Sequence, residues 1–219
     1  TQIGGDAMEA GKDLRSAVAL STSMTHLNLS RTSILPVDMV PLLGALSRNL
    51  VLKRLILNNT SLDEPSCLQL AHGLSTCPTI TVIDLHNARM GPKGGLIVAN
   101  RLDLLGKRIT YLDISDNGIG PIASISIGAC LLDTECTIRT LNLQGNDIMD
   151  EGGRYVIKGM KENSSLTDVN LSNNRLSGEV AEILADVARG LYIDGKKICD
   201  CQLKRLCASD NPNIGMAGA

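Results

Sequence analysis

The chain has no phenylalanine and no tryptophan, and only three tyrosines in 219 residues. Its core must therefore be filled by Leu, Ile, Val, Ala and Met, as in a ladder of aliphatic layers. It also lacks an excess of either charge. With 21 Lys and Arg against 23 Asp and Glu, a formal net charge of −2 and a pI near 5.9, nothing suits it to neutralise phosphates, so no nucleic-acid partner is expected. No run of about 18 uncharged apolar residues occurs, so no membrane span is expected. The opening T-Q-I-G-G-D-A-M-E-A-G-K-D lacks the basic and then apolar blocks of a secretory signal. An even cysteine framework is missing too: the seven cysteines, at 67, 77, 130, 136, 199, 201 and 207, are scattered, which predicts reduced thiols and a cytoplasmic setting. The rest of the composition, 43% hydrophobic and 20% charged, is that of an ordinary globular chain long enough to bury a continuous core.

What is present is a phrase that returns. Ile109 to Ile119 reads I-T-Y-L-D-I-S-D-N-G-I, or L-x-x-L-x-L-x-x-N-x-L in shorthand. Ile109, Leu112, Ile114 and Ile119 fill its apolar slots and Asn117 its amide slot. The phrase occurs six times, opening at Met24, Leu52, Ile80, Ile109, Ile138 and Leu166, with spacings of 28, 28, 29, 29 and 28 residues. A unit of that size cannot bury its own apolar face and must stack on neighbours. Phrase and period together resemble the leucine-rich repeat family, and the unit length resembles its ribonuclease-inhibitor-like class, which also includes the Ran GTPase-activating protein, intracellular immune-receptor arrays and tropomodulin. The resemblance implies an α/β solenoid, a horseshoe with a parallel β-sheet lining the concave side and α-helices on the convex side.

A single leucine-rich repeat domain is expected over residues 1–219. Residues 1–23 form a partial N-terminal repeat, 24–190 six full repeats, and 191–219 an insertion followed by a degenerate seventh repeat. In the partial repeat Met8, Leu14, Val18 and Leu20 supply an apolar helical stripe. In the first full repeat Leu27 and Leu29 point inward from a strand, Ile34 ends the turn, and Leu42, Leu43 and Leu46 line a helix. Pro36, Pro65, Pro92 and Pro121 stand where helices should begin, a place that tolerates a missing N–H. Asn117, Asn146 and Asn174 hold the amide slot, which the family uses to bond backbone groups of the turn and the next unit. Thr32, Thr60 and Ala88 replace it in repeats one to three, so the third rung should be held least tightly. In the seventh, Leu203, Leu206, Ala208 and Asn211 take the slots and Ile214 falls one residue late. Both ends read as open edges, so the chain is expected to be a piece of a larger chain or assembly.

Sites of chemistry are harder to find. Cys199, Cys201 and Cys207 could share a thiolate-bound ion, but no nearby His completes a set of four ligands, and buried or free thiols are the plainer reading. G-L-Y-I-D-G-K-K at 190–197 has the glycine and lysine spacing of a phosphate loop, yet Lys197 replaces the hydroxyl that would hold Mg²⁺. G-P-K-G-G at 91–95 reads as a turn and helix start. His26, His72 and His86 lie in three different settings with no matching acid and nucleophile. No enzyme activity, metal or cofactor is expected.

The residues between the ladder positions are more informative, because they point out of the sheet onto the concave face. The third position of each rung reads His26, Arg54, Val82, Tyr111, Thr140 and Asp168. A basic edge adjoins an acidic centre, and the one aromatic is central. This predicts a non-enzymatic module that binds a protein partner on its concave sheet, with Tyr111, Asp113, Asp84, His86, Asp116, Asn142 and Arg54 as the contact residues. Ile56 and Val82 are expected to be exposed beside Tyr111. On this reading Asp113→Lys weakens binding and leaves stability nearly unchanged. The resemblance also implies two alternatives, a small-GTPase regulator of the Ran GTPase-activating kind and a scaffold or cytoskeletal segment acting through its ends or helices.

Overall fold

The structure is a computed structural model that describes residues 14–32, 35–189, 192–193, 196–197 and 202–211. After a helix at residues 14–20 (α1), strands and helices alternate. They run β1 (His26–Asn28), α2 (Pro36–Ala45), β2 (Arg54–Ile56), α3 (Glu64–Thr76), β3 (Val82–Asp84), α4 (Gly91–Ala99) and α5 (Leu102–Leu105). They continue with β4 (Tyr111–Asp113), α6 (Gly120–Leu131), β5 (Thr140–Asn142), α7 (Met149–Glu162), β6 (Asp168–Asn170) and α8 (Gly178–Arg189). A short antiparallel pair, β7 (Tyr192–Ile193) and β8 (Lys196–Lys197), precedes β9 (Arg205–Cys207). Seven strands form one parallel sheet in the order β1-β2-β3-β4-β5-β6-β9, so the chain is an α/β leucine-rich repeat solenoid.

The phrase explains the register. The middle residue of each strand points toward the helices, and Leu27, Leu55, Ile83, Leu112, Leu141 and Val169 are all buried. Because side chains alternate along a strand, the residues on either side of that position face away from the helices. The strands pair so that equivalent residues stand in rows, with Arg54 beside Val82, Val82 beside Tyr111, Tyr111 beside Thr140 and Thr140 beside Asp168. Helices begin at the expected prolines, Pro36 opening α2 and Pro65, Pro92 and Pro121 standing in the first turns of α3, α4 and α6.

The amide slot closes the turns. Asn146 is fully buried and donates to the carbonyls of Ile114 (2.9 Å), Leu143 (3.0 Å) and Gln144 (3.3 Å). Its Oδ1 accepts from the amides of Asn117 (3.1 Å) and Ile119 (3.4 Å), so one side chain joins two units. Asn211 does the same at the seventh strand, donating to the Leu171 carbonyl and accepting from the Asn174 (2.8 Å) and Leu176 (3.0 Å) amides. Thr60 supplies its single bond, to the Leu57 carbonyl at 2.7 Å. At the third rung the backbone carbonyl of Ala88 accepts the Leu62 amide at 2.9 Å in place of an amide side chain, and Asn117 of the next rung holds the turn through the Leu85 carbonyl (2.8 Å) and the Met90 amide (3.3 Å).

Three features were not anticipated. A second asparagine column precedes two strands. Asn49 and Asn163 are buried, donate to the carbonyls of Val18 (2.7 Å) and Leu131 (2.9 Å), and accept from the amides two and three residues ahead. The residue before each amide slot, from Arg31 through Asn59, Asn87, Asp116, Gly145 and Asn173 to Asp210, is left-handed with φ between +48° and +66°. Asn, Asp and Gly suit that conformation, and Arg31 is the exception. Finally, α6 and α7 meet backbone to backbone. A Cβ on Gly128 would lie 2.5 Å from the Tyr155 carbonyl oxygen, and one on Gly159 would lie 2.6 Å from that of Gly128.

Two core expectations need correction or relocation. Val18 is fully buried as expected, but Leu20 is 76% exposed, because α1 ends at that residue and its side chain falls outside the stripe. Met8, Ile34, Ile214, Cys199 and Cys201 lie outside the described residues.

Candidate functional site

The face turned away from the helices carries three columns of side chains, contributed by the first and third residues of each strand and the second residue after it. At its centre the columns are Val82, Tyr111 and Thr140; Asp84, Asp113 and Asn142; and His86, Ser115 and Gln144. The six expected contact residues other than Asp116 all stand on this face. Asp116 lies at its rim, in the left-handed turn after β4, where its Oδ2 is 3.4 Å from His86 Nδ1.

These side chains are tied to one another. Asp113 accepts from the Ser115 amide (2.9 Å), the Ser115 hydroxyl (2.5 Å) and Asn142 Nδ2 (2.8 Å), with the Tyr111 hydroxyl at 3.5 Å. Asp84 accepts from Asn58 Nδ2 (3.0 Å) and the His86 amide (3.3 Å). Across the next pair of rungs Asn170 donates to Gln144 Oε1 at 3.0 Å, and His86 Nδ1 lies 2.9 Å from the Ser115 hydroxyl. The third strand residue thus performs a local job, holding the amide two positions on, at Asn28, Asp84, Asp113, Asn142 and Asn170.

This changes the reading of Asp113. It is only 8% exposed, so it is a buried carboxylate built into the sheet rather than a free contact group. Alternation places it on the outward face, but the phenol of Tyr111 and the side chains of Ser115 and Asn142 cover it. Ile56 and Val82 are likewise half-buried, not exposed. Arg54 is exposed, and Asp168 is paired with Arg205 at 3.1 Å.

Tyr111 is half-buried and its phenol is pushed up to about 12 from an ordinary 10.0, first by burial and then by the carboxylates of Asp113 and Asp84. The charged form is the one disfavoured in the fold. Tyr111 therefore contributes stability that is complete below pH ~10, where the unfolded phenol is neutral, and lost as pH rises through about 12. Spectroscopic titration should show a phenolate step at pH about 12 that Tyr111→Phe removes. An unchanged titration in the Phe variant would refute the burial argument.

Among the described residues no group of three or more His, Cys, Asp and Glu is placed to hold a metal ion, and no helix is long and apolar enough to cross a membrane. The exposed Cys207 is the described member of the cysteine cluster near the C-terminus.

Comparison with known proteins gives the same architecture. Leucine-rich repeat family models match residues 109–123, 134–156 and 165–187. The ribonuclease inhibitor of Mus musculus is 29% identical over 82% of the chain and 39% of its own length. A protein phosphatase 1 regulatory subunit 37 homolog of Caenorhabditis briggsae is 31% identical over 62% of the chain and 15% of its own. Among solved structures, leiomodin-1 actin-binding site 2 aligns over 86% of the chain and 87% of its own length, at 19% identity and a TM-score of 0.44. The chain thus spans less than two-fifths of the length of these two curated relatives. A period of 28 to 29 residues, seven parallel strands in one register, and the matches to the leucine-rich repeat models and the ribonuclease inhibitor lead to one assignment: the chain is a ribonuclease-inhibitor-like leucine-rich repeat protein.

Proposed function

We propose that the chain is a non-enzymatic protein-interaction module that holds a partner protein on its concave sheet. The observation that carries this is the in-register row Arg54, Val82, Tyr111, Thr140, Asp168 and Arg205, in which cations stand on both sides of an aromatic centre and Arg205 pairs with Asp168. A row of that kind reads an extended surface by charge at its ends and by apolar contact at its middle. Tyr111 lies over Asp113, its hydroxyl 3.5 Å from Oδ2, and a half-buried aromatic at the centre of the face suits an anchor. Asp84, His86 and Asn142 stand on the same face, with Asp116 at its rim. The relatives' names agree in kind: one inhibits ribonuclease and another is a regulatory subunit of protein phosphatase 1.

Photo-crosslinking tests the face directly. A photoreactive residue at Thr140, on the sheet, should trap a discrete protein species in lysate, while the same group at Tyr155, 48% exposed on α7, should not. Adding Tyr111→Ala to the Thr140 probe should reduce the yield at least about tenfold, the effect of removing an interface anchor. Trapping from Tyr155 alone would move the partner to the helices and favour the scaffold alternative.

A further inference from the structure

Cys130, at the end of α6, and Cys136, two residues before the fifth rung, stand side by side, and the interaction proposed above gives neither a part. Both sulfurs lie over Gly106. A Cβ built at Gly106 would fall 2.5 Å from Cys130 Sγ and 3.9 Å from Cys136 Sγ, so the absent side chain leaves the space the two sulfurs share. Cys130 also points its thiol to the Leu102 carbonyl at 3.2 Å, and Cys67 and Cys77 point theirs to the carbonyls of Leu62 and Leu52, each 3.7 Å away.

Access comes from one side. Cys130 forms part of the wall of a cleft of about 290 Å³ that also includes Asn100, Asp103, Ser126 and Asp133. Two carboxylates at its rim disfavour an anionic oxidant such as oxidised glutathione, and the small volume favours a small neutral one. The proton is unevenly shared. Hydrogen bonds from Cys130, the Ile138 amide and Asn163 lower the Cys136 thiol, while Cys130, bonded to Cys136 and buried, is raised.

We infer that Cys130 and Cys136 form a peroxide-oxidisable thiol pair, which closes to an intramolecular disulfide between the end of α6 and the segment entering β5. In the first step a thiolate of the pair attacks one oxygen of hydrogen peroxide. The O–O bond breaks, the sulfur becomes a sulfenic acid, and the departing hydroxide takes a proton to leave as water. In the second step the neighbouring sulfur attacks the sulfenic sulfur, the S–O bond breaks, and a second water leaves with the remaining thiol proton. Two thiols and one peroxide thus give one disulfide and two waters. Cys67 is the internal control, since burial and the adjacent Asp63 and Glu64 push its thiol up to about 12.

The test uses one peptide. Trypsin cuts after Arg108 and Arg139 and at no site between them, so Ile109–Arg139 carries both cysteines. After hydrogen peroxide and then iodoacetamide, the folded chain should yield this peptide two hydrogen masses light and unalkylated, at least about tenfold faster than Cys67 is consumed. In Cys130→Ser, dimedone should capture a sulfenic acid at Cys136. Full alkylation of both thiols after peroxide, oxidation no faster than at Cys67, or the same selectivity in urea would each overturn the inference.

Discussion

Asn146→Ala should cost about 3 kcal/mol of stability, the upper part of the range for leaving buried polar groups without partners. The substitution removes the acceptor for two buried amides, those of Asn117 and Ile119, and one of two donors to the carbonyls of Ile114, Leu143 and Gln144, which keep Asn117 Nδ2, Asn174 Nδ2 and the Asp116 amide. No solvent reaches the site to replace them, since Asn146 is 0% exposed. The loss should also be local in a solenoid, where each unit depends on its neighbours. Hydrogen exchange should show the amides of Asn117 and Ile119 losing protection first, with those of Leu55 and Leu57 in the second rung little changed. Urea unfolding measures the total; a cost under about 1 kcal/mol would mean that rearrangement or entering water satisfies the two amides.

Asp113→Lys should be nearly as damaging, at about 3 kcal/mol, which reverses the expectation drawn from alternation alone. Three donors now converge on the carboxylate, and a lysine offers them only more donors. Asp113→Asn is the informative companion. Its remaining carbonyl oxygen can still accept the Ser115 amide, so it should cost only about 1 kcal/mol. Binding should be compared between wild type and the Asn variant, because the Lys variant confounds recognition with folding. Equal stability of the Lys variant and wild type in urea would restore Asp113 to the role of a free contact group.

These two residues mark where sequence reading succeeds and where it stops. Asn146 was legible because its position in the phrase repeats, and a position that repeats across stacked units must serve the stacking. The same logic located Leu55, Ile83 and Leu112 in the core and Tyr111 in the row of outward residues. Asp113 was half legible. Period two gives the face a side chain leaves from, but its exposure depends on what Ser115 and Asn142 do above it. Asn49 and Asn163 escaped notice because their column is incomplete, with other residue types before the remaining strands. Ala88 misled in the opposite direction, since its backbone carbonyl accepts the Leu62 amide and Asn117 of the next rung reaches back to hold its turn. Cys130, Cys136 and Gly106 share no phrase at all, and their meeting follows from how one helix end folds over the preceding unit.

The glycine contact between α6 and α7 has a consequence for curvature. In a strand–helix solenoid the sheet side has a spacing of about 4.8 Å, while packed helices usually need about 8–10 Å, and the difference bends the stack. Where Gly128 and Gly159 let two helix backbones touch, the outer spacing should shrink and the arc between the fourth and fifth units should flatten. That stretch is the one that carries Tyr111 and Thr140. A side chain introduced at Gly128 would act as a wedge on the outer rim, tightening the arc and narrowing the inner face, with no contact to the residues whose separation it alters.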